Sequence, residues 1–206
     1  MRKAGLRGCP RARRKRTTRR NPCAAPVPDL VKRNFAAAAP NKIWTADITY
    51  VSTLEGFLYL AFILDCYSRK VVGWSMANHL RTELVVDALE MALWRRRPES
   101  GLIHHTDRGV KYTALWFTKR LEEVGIVPSM GRAGSALDNA ISESFVASLK
   151  TELLHRRHRF LSREAARTAI FEYIEGFYNR VRRLSALGYS SPTDYEQATI
   201  KEVAAA

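Results

Sequence analysis

The chain has 206 residues, with 34 Lys and Arg against 20 Asp and Glu, for a formal charge of +14. Apolar residues make up 46% of it, too many for a wholly disordered polymer, and its longest apolar run, Phe57–Leu64, is far short of the roughly 20 residues of a helical membrane span. Three cysteines, Cys9, Cys23 and Cys66, form no CxxC pair, which excludes a disulfide scaffold or a zinc ribbon.

The charge is concentrated at the front. Residues 1–33 hold 12 cations and one acid, Asp29, while residues 34–206 are nearly balanced at +3. The run Arg11–Arg20 has no apolar period. Arg13, Arg14, Lys15, Arg16, Arg19 and Arg20 repel one another without a polyanion, so this arm is expected to neutralise DNA phosphates. The basic start is followed by no apolar stretch of the kind a secretory signal carries. Pro22, Pro26, Pro28 and Pro40, with the Ala36–Ala39 run, read as a linker. The expected divisions are a basic arm and linker over 1–40, a core over 41–155, and a helical extension over 156–206.

From Ile43 to Thr53 the chain alternates. Trp44, Ala46, Ile48 and Tyr50 share one face, and Thr45, Asp47 and Thr49 share the other, which predicts a strand with one polar side. Glu55-Gly56 makes a tight turn into Phe57–Asp65, apolar on both faces as a covered central strand would be. Lys70–Met76 is predicted as a third strand, completing an antiparallel meander. A helical period follows through Leu84, Ala88 and Ala92 to Arg97-Pro98. Leu102–Thr106 is read as a strand, Ala114–Val124 as a helix, Ile126–Met130 as a strand and Gly131–Gly134 as a loop. Leu137–Leu154, Ser162–Phe177 and Ser191–Ala205 are read as helices. The order implies an α/β fold: a mixed sheet of about five strands with flanking helices.

Three acids are placed for chemistry. Asp47 lies mid-strand on the polar face, where a carboxylate is costly without a partner. Asp107 ends the fourth strand, at the sheet edge where ligands of α/β folds bind. Glu143 lies on a helix; at about 100° per residue, Asn139 and Lys150 fall within roughly 40° of it, while Ile141, Phe145 and Leu149 point away. Amide, carboxylate and ammonium are therefore expected on one exposed face. Such oxygen ligands suit Mg²⁺ or Mn²⁺, and two ions about 3.5–4 Å apart activate an attacking oxygen and stabilise a leaving one. Taken alone, each acid reads better as structural: Asp47 as an arginine's ion-pair partner, Asp107 as a turn cap and Glu143 as part of a solvated helix face.

Together the blocks carry a resemblance. Trp44-Thr45-Ala46-Asp47-Ile48-Thr49-Tyr50, Asp65 to Trp74, His104-His105-Thr106-Asp107-Arg108-Gly109 and Asp138 to Phe145 resemble the integrase-type catalytic core of insertion sequence 3 family transposases. That family carries an Asp-Asp-Glu triad with 35 residues between its last two acids, as lie here between Asp107 and Glu143. The resemblance implies a ribonuclease-H-like fold and a catalytic, metal-binding triad of Asp47, Asp107 and Glu143. It implies two Mg²⁺ or Mn²⁺ ions, and DNA contact by Lys150. The implied activity is DNA strand cleavage and strand transfer in transposition. The implied partners are the element's terminal repeats and target DNA, further copies of the chain on that DNA, and a helix-turn-helix protein from a first reading frame. The implied location is the cytoplasm of a bacterium, at the nucleoid, with no membrane. Tyr178-Asn179-Arg180 and Leu187 to Pro192 match the family's C-terminal signature. Leu184 stands where histidine is common, and Val110-Lys111 where Ser-Gln is.

Met1–Gly8 resembles the tail of the family's helix-turn-helix region. The chain is thus expected to be a truncated copy, an internal-start product or a second-frame product. Two other readings use the same residues: an inactive DNA-binding remnant, and a nuclease of this fold that does not join ends. His104 and His105 are read as phosphate contacts or strand-end packing, and Asp65 as a turn cap in preference to a metal-site residue. His155 and His158 are read as surface residues, and the arginines at 156, 157, 159, 163 and 167 as DNA contacts or a solvated face.

Overall fold

The computed structural model describes residues 27–107, 112, 115–131, 139–154 and 159–205, with 201–205 described by backbone alone. The five strands are β1 (Ile43–Thr53), β2 (Gly56–Asp65), β3 (Val71–Ala77), β4 (Ile103–Thr106) and β5 (Val127–Met130). The helices are α1 (Thr82–Arg96), α2 (Leu115–Glu123), α3 (Ala140–Leu149), α4 (Arg163–Phe171) and α5 (Pro192–Ala205). The sheet order is β3-β2-β1-β4-β5, with antiparallel β1–β2 and β2–β3 pairs and parallel β1–β4 and β4–β5 pairs. This is the mixed five-stranded sheet with flanking helices that the residue pattern predicts.

Strand β2 lies inside the sheet, and its apolar residues serve both faces. Ala61 and Ile63 join Trp44, Ala46, Leu84, Ala88, Leu89 and Phe117 under α1 and α2. Leu58, Leu60, Phe62 and Leu64 join Phe145, Leu149, Ile170 and Ile174 under α3 and α4. Gly73 lets α1 approach closely: a Cβ there would stand 2.7 Å from the Ala92 Cβ and closer still to the Ala88 carbonyl. Gly125, at φ +69°, ends the turn after α2 in a conformation that side chains rarely adopt.

Two predicted helices differ from regular α-helix. The first is described from Asn139 on, Leu137 and Asp138 lying outside the described residues, and its α-helical part, Ala140–Leu149, passes at Lys150 into a π-helical turn, Lys150–Leu154. The second, α4, passes into a longer π-helical segment, Glu172–Tyr178. Glu152 in the first wide turn accepts from the Tyr173 hydroxyl in the second at 2.8 Å, and from Arg182 at 2.6 Å. A bond between distant elements thus fixes both wide turns, and helical periodicity carries no trace of it.

The C-terminal residues are built into the core. The Asn179 side-chain amide bonds both backbone groups of Val71, and Tyr178 packs on Phe145. From the other end, Val31 and Phe35 are buried in the same cluster. No helix among the described residues is long and apolar enough to cross a membrane.

Candidate active site

The parallel β1–β4 ladder runs Ile43 beside Ile103, Trp44 beside His104, Thr45 beside His105 and Ala46 beside Thr106. Asp47 and Asp107 each follow directly on the last paired residues of this ladder, Ala46 and Thr106. Strand β4 ends there, while β1 runs on to Thr53. The two aspartates therefore come just past the point where one strand stops and its neighbour continues. A surface cleft lined by Lys42, Arg97, Glu99 and Leu102 lies at the opposite, N-terminal end of β4 and shares no residue with this pair.

Asp47 is half-buried, and Ile48 N–H donates to its Oδ1 at 2.7 Å. Its pKa is raised to about 6, with burial the largest influence, against the pull of that N–H. The charges of Asp107 and Glu143 contribute to the rise, and that of Lys150 works against it. All three acids and the lysine thus act on one point. Glu143 and Lys150 are exposed on α3 and at its end. Among the described residues, no three of His, Cys, Asp or Glu are gathered closely enough to cage one ion as they stand. The donor set nevertheless fits a hard divalent cation. It is all carboxylate, and the acids around Asp47 hold its proton affinity up, a cost that a bound cation relieves.

Asn139 is a correction. It does not share the exposed face of Glu143; it is 7% exposed and turned into the sheet. Its backbone, at φ −137° and ψ 33°, stands outside the helix, so the 100° step does not reach back to it. Instead, the Thr45 hydroxyl donates to Asn139 Oδ1 at 2.6 Å, and the Asn139 amide N–H points at the Ala46 carbonyl at 3.5 Å. Thr45 Oγ1 also lies 3.1 Å from Ser142 Oγ. Thr45 and Ser142 were not singled out by sequence; the only signal is a hydroxyl between Trp44 and Ala46 in a strand.

Both histidines are packing residues, each 1% exposed. His105 Nδ1 lies 2.9 Å from Ser129 Oγ, and Phe35 packs edge-on against its ring. His104 packs on Phe117 and Tyr112. Asp65, wholly buried, accepts from the Tyr67 and Asn41 N–H groups and pairs with Arg96 at 3.3 Å, three register steps from Asp47. It holds its turn, as expected. Of the arginines read as DNA contacts or a solvated face, two bind backbone carbonyls: Arg163 that of Phe57 and Arg167 that of Met76. Arg159 is exposed. Arg13, Arg14, Lys15, Arg16, Arg19 and Arg20 lie outside the described residues. So do Met1–Gly8, Val110-Lys111, the loop from Arg132, Asp138 and residues 155–158.

Two Integrase core domain families match this chain, one over residues 37–136 and one over residues 143–200. The chain is 43% identical to a putative transposase for insertion sequence element IS986/IS6110 of Mycobacterium tuberculosis, over 96% of this chain and 73% of that relative. It is 45% identical to transposase InsF for insertion sequence IS3A of Escherichia coli, over 84% of this chain and 59% of that relative. Among solved structures, the HTLV-2 integrase catalytic core domain in complex with magnesium is similar, with a TM-score of 0.55 and 17% identity. That likeness covers 77% of this chain and 98% of that one. A simian T-cell lymphotropic virus intasome is similar with a TM-score of 0.65 and 18% identity, over 78% of this chain and 56% of that one. At these identities the two structures speak for the ribonuclease-H-like fold.

Proposed function

The chain belongs to the integrase core family of insertion sequence 3 transposases, and we propose that Asp47, Asp107 and Glu143 are its catalytic, metal-holding residues. As a DNA transposase it is a polynucleotidyl transferase, moving phosphodiester bonds from one DNA oxygen to another. What supports the residue assignment is that Asp47 and Asp107 each directly follow the last paired residues of the β1–β4 ladder, and that the charges of Asp107 and Glu143 both act on the Asp47 carboxylate.

Bound here, a pair of Mg²⁺ or Mn²⁺ ions supplies neutralising charge at the scissile phosphate and lowers the pKa of the attacking hydroxyl. Asp47 on β1 and Asp107 just after β4 would offer carboxylate oxygens, and Glu143 would add its own from α3. Lys150 brings a cation to the same point and is placed to meet a DNA phosphate. No side chain acts as nucleophile: the attacking oxygen comes from water in cleavage and from a DNA 3′-hydroxyl in joining. The substrates are the element's ends and target DNA. Because two ends must be joined, several copies act together on DNA at the bacterial nucleoid, with a first-frame helix-turn-helix protein as a further partner. Arg13, Arg14, Lys15, Arg16, Arg19 and Arg20 add phosphate neutralisation.

The test uses duplex oligonucleotides carrying the element's end, one intact and one pre-cut. The expected result is metal-dependent nicking of the first and joining of the second to a target duplex. Asp47→Asn, Asp107→Asn and Glu143→Gln each remove both activities and leave DNA binding nearly intact. Full activity in any of the three overturns the triad. Nicking without joining identifies a simple nuclease, and neither activity identifies a DNA-binding remnant.

A further inference from the structure

We propose that Thr45, Asn139 and Ser142 are positioning residues: a buried hydroxyl–amide clamp that sets the distance between Asp47 and Glu143, and thereby the site's affinity for divalent cations. The proposal rests on the triad reading above.

The clamp joins the two elements that carry the acids. Thr45 is two residues before Asp47 and so faces the same side of β1. Ser142 immediately precedes Glu143, and Asn139 stands at the entrance to α3. Thr45 and Ser142 are 0% exposed. Thr45 has one hydroxyl proton, which it donates to Asn139 Oδ1 at 2.6 Å. The Ser142 hydroxyl must therefore donate to Thr45 Oγ1, at 3.1 Å. The Asn139 amide N–H completes the set at the Ala46 carbonyl, one residue from Asp47.

A structural role alone does not account for a threonine there. Valine has the same shape, suits a strand as well, and spares the cost of burying a hydroxyl. Thr45 adds direction. Apart from the clamp, α3 is held to the sheet by apolar contacts such as Phe145 on Phe62, and these tolerate sliding and rotation. Hydrogen bonds of 2.6 and 3.1 Å do not. Glu143 itself is exposed, so its place relative to Asp47 is inherited from its helix. Asn139 caps no backbone N–H of α3, which leaves its amide for this cross-element bond.

The test is Mn²⁺ titrated into the full chain, with unbound Mn²⁺ read by electron paramagnetic resonance, beside the metal dependence of nicking. Thr45→Val is expected to weaken Mn²⁺ binding about tenfold, the usual cost of removing a group that orients ligands. Nicking by Thr45→Val should recover at high metal, and Thr45→Ser should restore wild-type binding. Should Thr45→Val fold poorly, Ser142→Ala removes one bond and keeps the other, with an intermediate shift expected. Wild-type Mn²⁺ affinity in folded Thr45→Val or Ser142→Ala overturns the clamp. So does a loss of rate at all metal concentrations with no change in affinity. Glu143→Gln is the separate control: if it binds Mn²⁺ as tightly as the wild type, the triad reading fails rather than the clamp.

Discussion

The Lys150 ammonium stands 5.3 Å from the centre of the Tyr50 ring. Phe57 packs edge-on against that ring at 4.9 Å, and Tyr50 follows Asp47 by three residues on β1. The ring holds part of a long side chain whose charge also lowers the Asp47 pKa. Such a contact is worth about 0.5–1 kcal/mol at an exposed site. Tyr50→Leu should therefore weaken binding of the element's end about two- to fivefold, and Tyr50→Phe should leave it unchanged. Lys150→Ala should weaken it further and reduce the salt slope by about one unit. Fluorescence anisotropy across a salt series checks all three.

Asp47 is costly to the empty fold. Its pKa of about 6 lies above its ordinary 3.8, mainly through burial, so between these values the folded state holds a proton that the unfolded state has lost. Stability from this group thus falls as pH rises through that window. In metal-free buffer, Asp47→Asn should melt a few degrees above the wild type at pH 7, with the gap closing toward pH 4. Added Mg²⁺ should raise the wild-type melting temperature and leave that of Asp47→Asn nearly unchanged. Differential scanning calorimetry measures each.

Arg96 holds α5 to the core through buried ions. It pairs with Glu196 at 2.8 Å and with Asp65 at 3.3 Å, while Lys70 and Ser68 also bond Glu196. Burial works to raise the Glu196 pKa, but these partners outweigh it and leave it lowered. Its stabilisation is therefore present above its unfolded pKa and lost as pH falls through the lower folded value. Arg96→Met should cost about 3–5 kcal/mol, because buried Asp65 loses its cation and Glu196 keeps only Lys70. Urea unfolding reads the loss.

Among the described residues His104 has no hydrogen-bond partner for either ring nitrogen, and burial, with the nearby His105, lowers its pKa to about 3. It cannot be a cationic phosphate contact near neutral pH. His104→Leu should keep the wild-type nicking rate and leave stability unchanged or improved by about 1 kcal/mol, since two unpaired nitrogens disappear. A loss of DNA affinity in a folded His104→Leu variant would contradict this.

Several elements were legible along the chain. β1 begins at Ile43 and ends at Thr53 as alternation predicts, and β2 is apolar on both faces because helices cover both. Asp47 and Asp107 are recognisable as acids at a mid-strand and a strand end. Asn139 departs from the helical expectation because its backbone precedes α3 and does not follow the 100° step. The Arg163 and Arg167 guanidinium groups looked available to DNA because the carbonyls they bind, of Phe57 and Met76, are 106 and 91 residues away.

What the amino-acid order determined by itself is whatever repeats within a few residues: strand alternation, helical period, the basic arm, and the intervals separating the acids. What only tertiary structure decided is which side chains meet across elements. Examples are Thr45 bonded to Asn139, Arg96 between Asp65 and Glu196, and Glu152 tied to Tyr173. The physical reason is range: periodicity follows from local backbone geometry, whereas a hydrogen bond or ion pair exists only once β-pairing and helix packing bring distant residues within about 3 Å.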